Sequence, residues 1–367
     1  MSELKTNKIQ TNDTNNVAID NALKLKSYST TDRNALTSVA GDTIYNTTTS
    51  KVEYYDGSSW VQTGGPDVVS VEYIIVAGGG GGGNGHYAGG GGGGAGGYMT
   101  NFGSDASGGG GATRAGLYLT KSSNYIISIG AGGSGDTSNY GGASGTNTIL
   151  GPLSAIGGGG GGARSGAAKV GGSGGGAGSE GSGSADGNGR GGGAAGTILQ
   201  GFEGGGGNNS NHRKGGGGGA GMKGYFMNTD AGEDGGDGVV STILTTTQAS
   251  SYSVGEVISS DVYFAGGGAS CPNDPNTTVA SGGKGGGGNS THGSNAPAGV
   301  TNTGSGGGAT SLLANAAGNG GSGVLIIRFP DTNSISGLTG LTSSNFTSGG
   351  YKYYIFTAGE STVVQFS

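Results

Sequence analysis

The stretch VEYIIVAGGGGGGNGHYAGGGGGGAGG, residues 71–97, decides how the rest of the chain is read. An apolar strand that runs straight into glycine is how a dinucleotide-binding fold begins. That fold, however, needs its glycines to open a helix whose N-terminus faces a pyrophosphate, with an acidic residue ending the next strand. After Ala77 only more glycine follows, so the phosphate-loop reading fails. Polyglycine-II geometry is available to a tract that continues a strand: it lies close to the β region, with about three residues per turn and a rise of ~3.1 Å per residue. Because glycine has no Cβ, such helices can pack side by side and pair their N–H and C=O groups with neighbours. On this reading VEYIIV launches an outward tract, NGHYA is a loop at its far end, and the second glycine run is the return.

The composition agrees. Of 367 residues 95 are glycine, while 31% are apolar and 11% charged, so neither the usual greasy core nor the usual charged surface is on offer. A net charge of only −6 does not compel disorder. The single cysteine, Cys271, excludes an internal disulfide framework and reads as an unreactive thiol in a polar loop. A pI near 5.0, with lysine and arginine scattered singly, argues against a nucleic-acid partner. No apolar run approaches the ~20 residues that cross a bilayer, and MSELKTNKIQ lacks a signal-peptide core, so the expectation is a soluble protein made in a cytoplasm.

Three regions follow. Residues 1–65 carry a short helix capped by Thr31 or Asp32 and a β-meander of TIYN, KVEYYD and SSWVQ, with Tyr45, Tyr54 and Trp60 as its small core. Residues 66–330 form the glycine bundle. Residues 331–367 contain YKYYIFTAGESTVVQF, a hairpin turned at Ala358-Gly359-Glu360. The expected fold is therefore mainly β and polyglycine II: a small N-terminal β-meander, a glycine-helix bundle on a β-rich base, and a C-terminal β-hairpin, with little α-helix.

Strict alternation of direction assigns the tracts. Outward ones are 78–83, 108–111, 130–135, 157–162, 191–196, 215–221, 266–268 and 306–308; returning ones are 89–97, 141–145, 171–178, 204–207, 235–238, 282–288 and 318–323. Every apolar segment, GLYLT, YIISIG, TNTIL, LSAI, VVSTIL, VYFA and VLIIRF, then falls at the base. The distal loops carry aliphatic and aromatic side chains, whereas NNSNHRK and NSTHGSNAPAGVTNTGS at the other end are polar. Exposed apolar groups on glycine-flanked tips mark an interaction surface, the other reading being a local mini-core that covers the bundle end. The candidate contacts are His86, Tyr87, Tyr140, Phe202, Tyr225, Phe226 and Met227, with Arg114, Arg164 and Asn228 as hydrogen-bonding groups.

Catalytic and metal chemistry finds little support. His86, His212 and His292 occur singly, without a carboxylate or cysteine at ligand spacing. Asp230, Glu233, Asp234 and Asp237 miss the EF-hand spacing and read as a solvated acidic turn, and nothing pairs Glu203 with Asp274 as a glycosidase would require. No cofactor, metal or enzymatic activity is expected.

The alternation of tract and loop over residues 71–330 resembles the glycine-rich tip adhesins of T-even-type bacteriophage long tail fibres, whose distal domains are polyglycine-II sandwiches with receptor-determining loops. Residues 22–61, ALKLKSYSTTDRNALTSVAGDTIYNTTTSKVEYYDGSSWV, look like a module of tail and fibre proteins of marine phages, including those of cyanobacteria. The resemblance implies a non-enzymatic virion protein that attaches through residues 1–65 to other fibre or virion proteins and binds a host cell-surface receptor, a glycan or an outer-membrane protein. A structural alternative is a capsid or tail decoration whose loops contact another virion protein. Ice binding would require a flat face of regular short residues, which the aromatic loops do not suit. The chain departs from those adhesins in carrying the N-terminal module and in its ending, YKYYIFTAGESTVVQFS, which leaves open whether one copy stands alone or three form a homotrimer.

Overall fold

The computed structural model describes residues 24–64, 67–86, 88–179, 194–207, 214–226, 231–273, 278–312 and 314–367. The chain divides into two compact units at Asp67/Val68.

In the first unit β1 (Ser27–Tyr28) pairs in parallel with β2 (Thr43–Asn46), and β2, β3 (Lys51–Tyr55) and β4 (Trp60–Gln62) form the expected meander. The short helix α1 (Thr30–Asn34) is capped by Ser29, whose Oγ accepts from the Asp32 N–H at 3.1 Å; neither Thr31 nor Asp32 is the cap. The expected aromatic core is also corrected. Tyr45 and Tyr54 are exposed, and the buried residues are Ile44, Asn46 and Glu53. Side chains alternate across a strand, so burying Ile44 and Asn46 turns Tyr45 outward. Glu53 is held by Arg33 Nη1 at 2.7 Å, Asn46 Nδ2 at 3.0 Å and Thr49 Oγ1 at 3.1 Å.

The second unit rests on a central sheet. Its strand β5 (Val68–Val76) pairs with β6 (Tyr98–Thr100) and β7 (Leu117–Thr120). Around it lie β8 (Tyr125–Ser128), β9 (Thr148–Leu150), β10 (Leu153–Ala155), β11 (Val239–Ser241), α2 (Thr246–Tyr252), β12 (Glu256–Ile258) and β13 (Asp261–Phe264). The chain closes with β14 (Val324–Pro330), β15 (Ile335–Ser336), β16 (Thr342–Ser348), β17 (Tyr351–Ala358) and β18 (Thr362–Phe366). The central order is β16-β17-β14-β5-β6, antiparallel throughout.

Both faces of this sheet are covered where Tyr73–Val76 of β5 meets Val324–Ile327 of β14, which is why these segments read as continuous apolar runs and not as alternating ones. Val71, Tyr73 and Ile75 pack with Ile127, Leu150, Val364 and Phe366 of a second sheet, ordered β10-β9-β8-β18-β15. Ile74, Val76 and Ile326 pack on the other side with Ile243, which follows β11, with Ala249 of α2, and with Val262 and Phe264 of the β11-β13-β12 sheet. The C-terminal hairpin is present but turns at Gly349-Gly350, between β16 and β17. The segment Ala358-Gly359-Glu360 carries the chain from the central sheet into the second one, where β18 pairs with β8 and β15.

Above the base the glycine tracts stand as polyglycine-II helices, and the opening stretch lies at their centre. Tract 78–83 donates its N–H groups to residues 143–146, 318–321 and 91–94, at 2.8–3.1 Å, and its carbonyls accept from 158–161, 133–136 and 307–310. The register shows the period: Gly78 and Gly81 turn to one donor-side neighbour, Gly79 and Gly82 to the next, Gly80 and Gly83 to the third. The first three partners run antiparallel to the tract and the other three parallel, so six helices surround it with alternating direction. Tract 90–97 is enclosed in the same way by 80–83, 159–162, 173–176, 215–218, 268–271 and 304–307. A Cβ on any of Gly78 to Gly83 would fall within 3.0 Å of a neighbour's carbonyl oxygen. Glycine is therefore required by close approach and not by dihedral angle.

The strand-to-glycine junctions lie at the base as expected, but the path between them is corrected. Residues 108–111 are a base turn, with Gly109 and Gly110 at φ +65° and +73° and the Gly108 N–H bonded to Tyr98 O. After the outward tract 157–162 the chain doubles back at once, Lys169 N–H reaching Gly160 O at 2.9 Å. Tract 171–178 then runs outward, 194–197 returns, 201–205 runs outward and 214–220 returns, the reverse of the alternation read from the glycine runs. A second unforeseen reversal at 221–223 sends residues 222–225 outward again, before 231–238 come back to β11. The two extra reversals cancel, which is why every strand still lands at the base. A further hairpin splits 282–299: the chain turns at Gly285-Gly286, φ +97° and +90°, runs out to Thr291 and returns to Gly299.

Where the outermost tracts lack a neighbour, side chains take its place. Asn319 Oδ1 accepts from Gly135 N–H, Asn147 Oδ1 from Gly157 N–H and Asn289 Oδ1 from Gly282 N–H, each at 2.8–2.9 Å. The carboxylates of the acidic segment serve the same end: Asp234 accepts from Ser281 N–H and Asp237 from Lys284 N–H. Of that cluster Glu233 is buried, and Asp230 lies outside the described residues. Among the described residues no three His, Cys, Asp or Glu side chains gather as a metal site would need, and no helix is long and apolar enough to cross a membrane. Cys271 is buried inside a tract and not in a polar loop; burial pushes its thiol up to about 11.

Candidate functional site

The distal end of the bundle is assembled from loops that the tracts bring together from across the sequence. Asn84, buried at the end of the first tract, is the junction. Its side-chain amide donates to Leu312 O at 3.0 Å and Asn315 O at 2.8 Å, and its backbone N–H reaches Asp136 Oδ2 at 3.3 Å. Asp136 in turn closes its own loop, accepting from Ser138 N–H at 2.8 Å and Gly141 N–H at 2.9 Å. Asn139, in the left-handed region at φ +72°, accepts through its carbonyl from Ser165 N–H at 3.3 Å and ties loop 136–141 to loop 163–166. Asparagine tolerates that conformation better than other residues that carry a Cβ, which explains its place there.

This geometry sorts the sequence candidates. His86, Tyr140 and Arg164 share the distal end. His86 stands at φ +42° with its N–H on Asn84 Oδ1. Tyr140 is 72% exposed at the crest of its loop, its backbone against Gly166 of the next loop, and Arg164 is exposed on that next loop. Tyr225 and Phe226 lie on another flank, where the Tyr225 backbone bonds to Gly216 and Asp234. Phe202 and Arg114 are not distal at all. Phe202 lies beside Gly110 in the base turn, and Arg114 donates its backbone N–H to Thr100 O of β6 at 2.8 Å. They were misplaced because the two unforeseen reversals inverted residues 171–221, and because 108–111 is a turn. Tyr87, Met227 and Asn228 fall outside the described residues, as do His212 and Asp274.

The same correction adds residues that the sequence reading put at the base. Thr291 and His292 are distal: Thr291 bridges Thr310, which also bridges Asn84, and His292 Nε2 lies 3.3 Å from Asn273 O. The signal was the lone His292-Gly293 pair inside a polar stretch, where Gly293 takes φ +82° and turns the chain.

Among the described residues the distal end therefore carries the exposed Tyr140 ring, the Arg164 guanidinium and the imidazoles of His86 and His292 over a framework of backbone and Asn/Asp hydrogen bonds. Such a group can stack on an apolar face and bond to hydroxyls, but it holds no paired carboxylates and no activated nucleophile among the described residues. A protein-family model described as a glycine-rich domain matches residues 55–330. No curated protein and no solved structure matches the chain.

Proposed function

The chain belongs to the glycine-rich domain family, and on the geometry of its distal end we propose that it is a displayed, non-enzymatic binding protein: the receptor-binding tip of a viral fibre. Residues 1–65 join it to the particle, the bundle carries the loops at the end opposite its own base sheet, and the loops around Tyr140 contact a molecule on the host surface. The observation that carries this reading is the exposure of Tyr140 and of Arg164 on two neighbouring loops that are braced from beneath by Asp136, Asn139 and Asn84. A large aromatic ring left 72% exposed contributes nothing to folding, and a rigid frame lowers the ordering cost of using it in a contact. Backbone bonds hold the frame, so loop sequence is free to change with the receptor.

The test is adsorption blocking. Purified chain added to susceptible cells is expected to block virus adsorption, and Tyr140→Ala with Arg164→Ala to weaken blocking at least ~10-fold with an unchanged melting temperature. Equal blocking by the double variant overturns the site. Failure to bind cells, with binding to another virion protein instead, would make the chain a particle decoration.

A further inference from the structure

A second surface lies at the base, away from the tip. Residues 112–117, with Tyr73, Leu153 and Leu199, line an open cleft of about 500 Å³ whose walls are largely apolar. Arg114 stands in it. Two other described arginines find a carboxylate, Arg33 with Glu53 and Arg328 with Glu72, as do Lys223 with Glu203 and Lys284 with Asp237. Among the described residues the Arg114 guanidinium has no carboxylate partner; its Nη2 donates to Leu199 O at 3.0 Å, and its buried Nε meets no acceptor there. In a chain of net charge −6, a half-buried arginine without a carboxylate is out of keeping with its surroundings.

The wall beside it is equally unusual. Leu199 takes φ +59°, a conformation costly for a bulky side chain, and is still 48% exposed. Its neighbour Ile198 is 86% exposed, and Tyr118, whose ring lies against Gly116 at the cleft margin, is 65% exposed. Glycine or asparagine would suit the turn better than leucine, so folding alone does not account for Leu199.

We infer that this cleft is a socket for a segment of a second protein in which an Asp or Glu carboxylate lies among aliphatic residues. The carboxylate meets the Arg114 guanidinium, and the aliphatic neighbours cover Leu199, Ile198 and Tyr118. The apolar margin extends beyond the cleft itself, which suits a peptide better than a small acid, and the positive charge selects an acidic segment over a basic one. The inference does not depend on the tip being a receptor-binding surface.

The full chain is used as bait for a library of random ten-residue peptides displayed on yeast, with octanoate as a small-acid probe. The expected result is enrichment of peptides with Asp or Glu flanked by Leu, Ile or Val. Arg114→Gln should weaken those peptides at least ~10-fold, and their Asn or Gln counterparts should bind wild type as poorly. Leu199→Asn, which relieves the backbone, should keep or raise the melting temperature while weakening the peptides, and so excludes misfolding as the cause. No acidic enrichment, or equal binding to Arg114→Gln, overturns the socket. Arg114-dependent binding of octanoate with no peptide enriched overturns the assignment to a protein partner.

Discussion

Gly80 has a neighbour's carbonyl where a side chain would begin. A methyl group there meets Gly159 O, a backbone atom that cannot move without shifting a second tract. Gly80→Ala is expected to destabilise the bundle by about 3 kcal/mol or more, at the upper end of overpacking effects, seen as a fall in melting temperature or loss of soluble protein. Gly116→Ala is the control, since its Cβ would meet only the exposed Tyr118 ring, and it should change little. Two titratable groups give further tests. Burial lifts the Cys271 thiol to about 11 from 9.0, so alkylation of the native protein at pH 8 should run about a hundredfold slower than in denaturant. Burial alone would raise the Glu53 carboxyl, but bonds from Asn46, Arg33 and Thr49 outweigh it and hold the group below its ordinary value. A carboxyl depressed in the folded state contributes stability above its unfolded pKa of about 4.3 and loses it as pH falls through the lower folded value. The first unit should therefore weaken on acidification below about pH 4, and Glu53→Gln should flatten that dependence while costing about 2 kcal/mol at neutral pH.

At the scale of elements, loops and tracts answer to different rules. Loop 136–141 is fixed by Asp136, Asn139 and Gly141, so replacing residues 137, 138 and 140 should leave the melting temperature unchanged, whereas Asp136→Ala, which frees the Asn84 and Gly141 N–H groups, should lower it. The strand-to-glycine junctions were legible because a buried strand and a following glycine run differ sharply in residue type. The reversals inside glycine-rich sequence were not, because a polyglycine-II residue and a turn residue such as Gly110 or Gly286 carry the same letter. Asp136, Asn139, Asn147, Asn289 and Asn319 were the overlooked signal: in a region poor in side chains, a short amide or carboxylate next to glycine marks a loop closure or an outer edge. Helix α2, which the sequence reading did not place, had its own overlooked signal in the capping box of Thr245 and Gln248. Thr245→Ala should cost about 1 kcal/mol.

For the whole molecule, the bundle and its base stabilise one another. An enclosed glycine gains about one net hydrogen bond, ~0.5–1.5 kcal/mol, against an ordering cost of ~1–2 kcal/mol, so tracts alone are at best marginal. The apolar sheet that holds their ends in register tips the balance. The amides of Gly80 and Gly93 should then exchange with solvent only on global unfolding, at the same rate as that of Ile326 in the central sheet. Exchange of the glycine amides well before Ile326 would mean that the bundle opens separately. The candidate site was legible only in part: tracts 78–83, 130–135 and 157–162 carry His86, Tyr140 and Arg164 to the distal end as read, whereas Arg114 follows a base turn that reads like a tract and Phe202 lies in the inverted stretch 171–221.

The direction of the inter-tract bonds governs how the protein meets mechanical load. They run across the tract axis, between helices that reach from base to tip, so a pull on the distal loops shears many of them at once. A sideways pull would open them one by one, like a zipper. Drawn from its tip in an optical trap, the bundle should yield at a much higher force than when peeled from its flank at Tyr225. A scaffold almost without side chains would thus hold fast along the axis that joins its base to its distal loops.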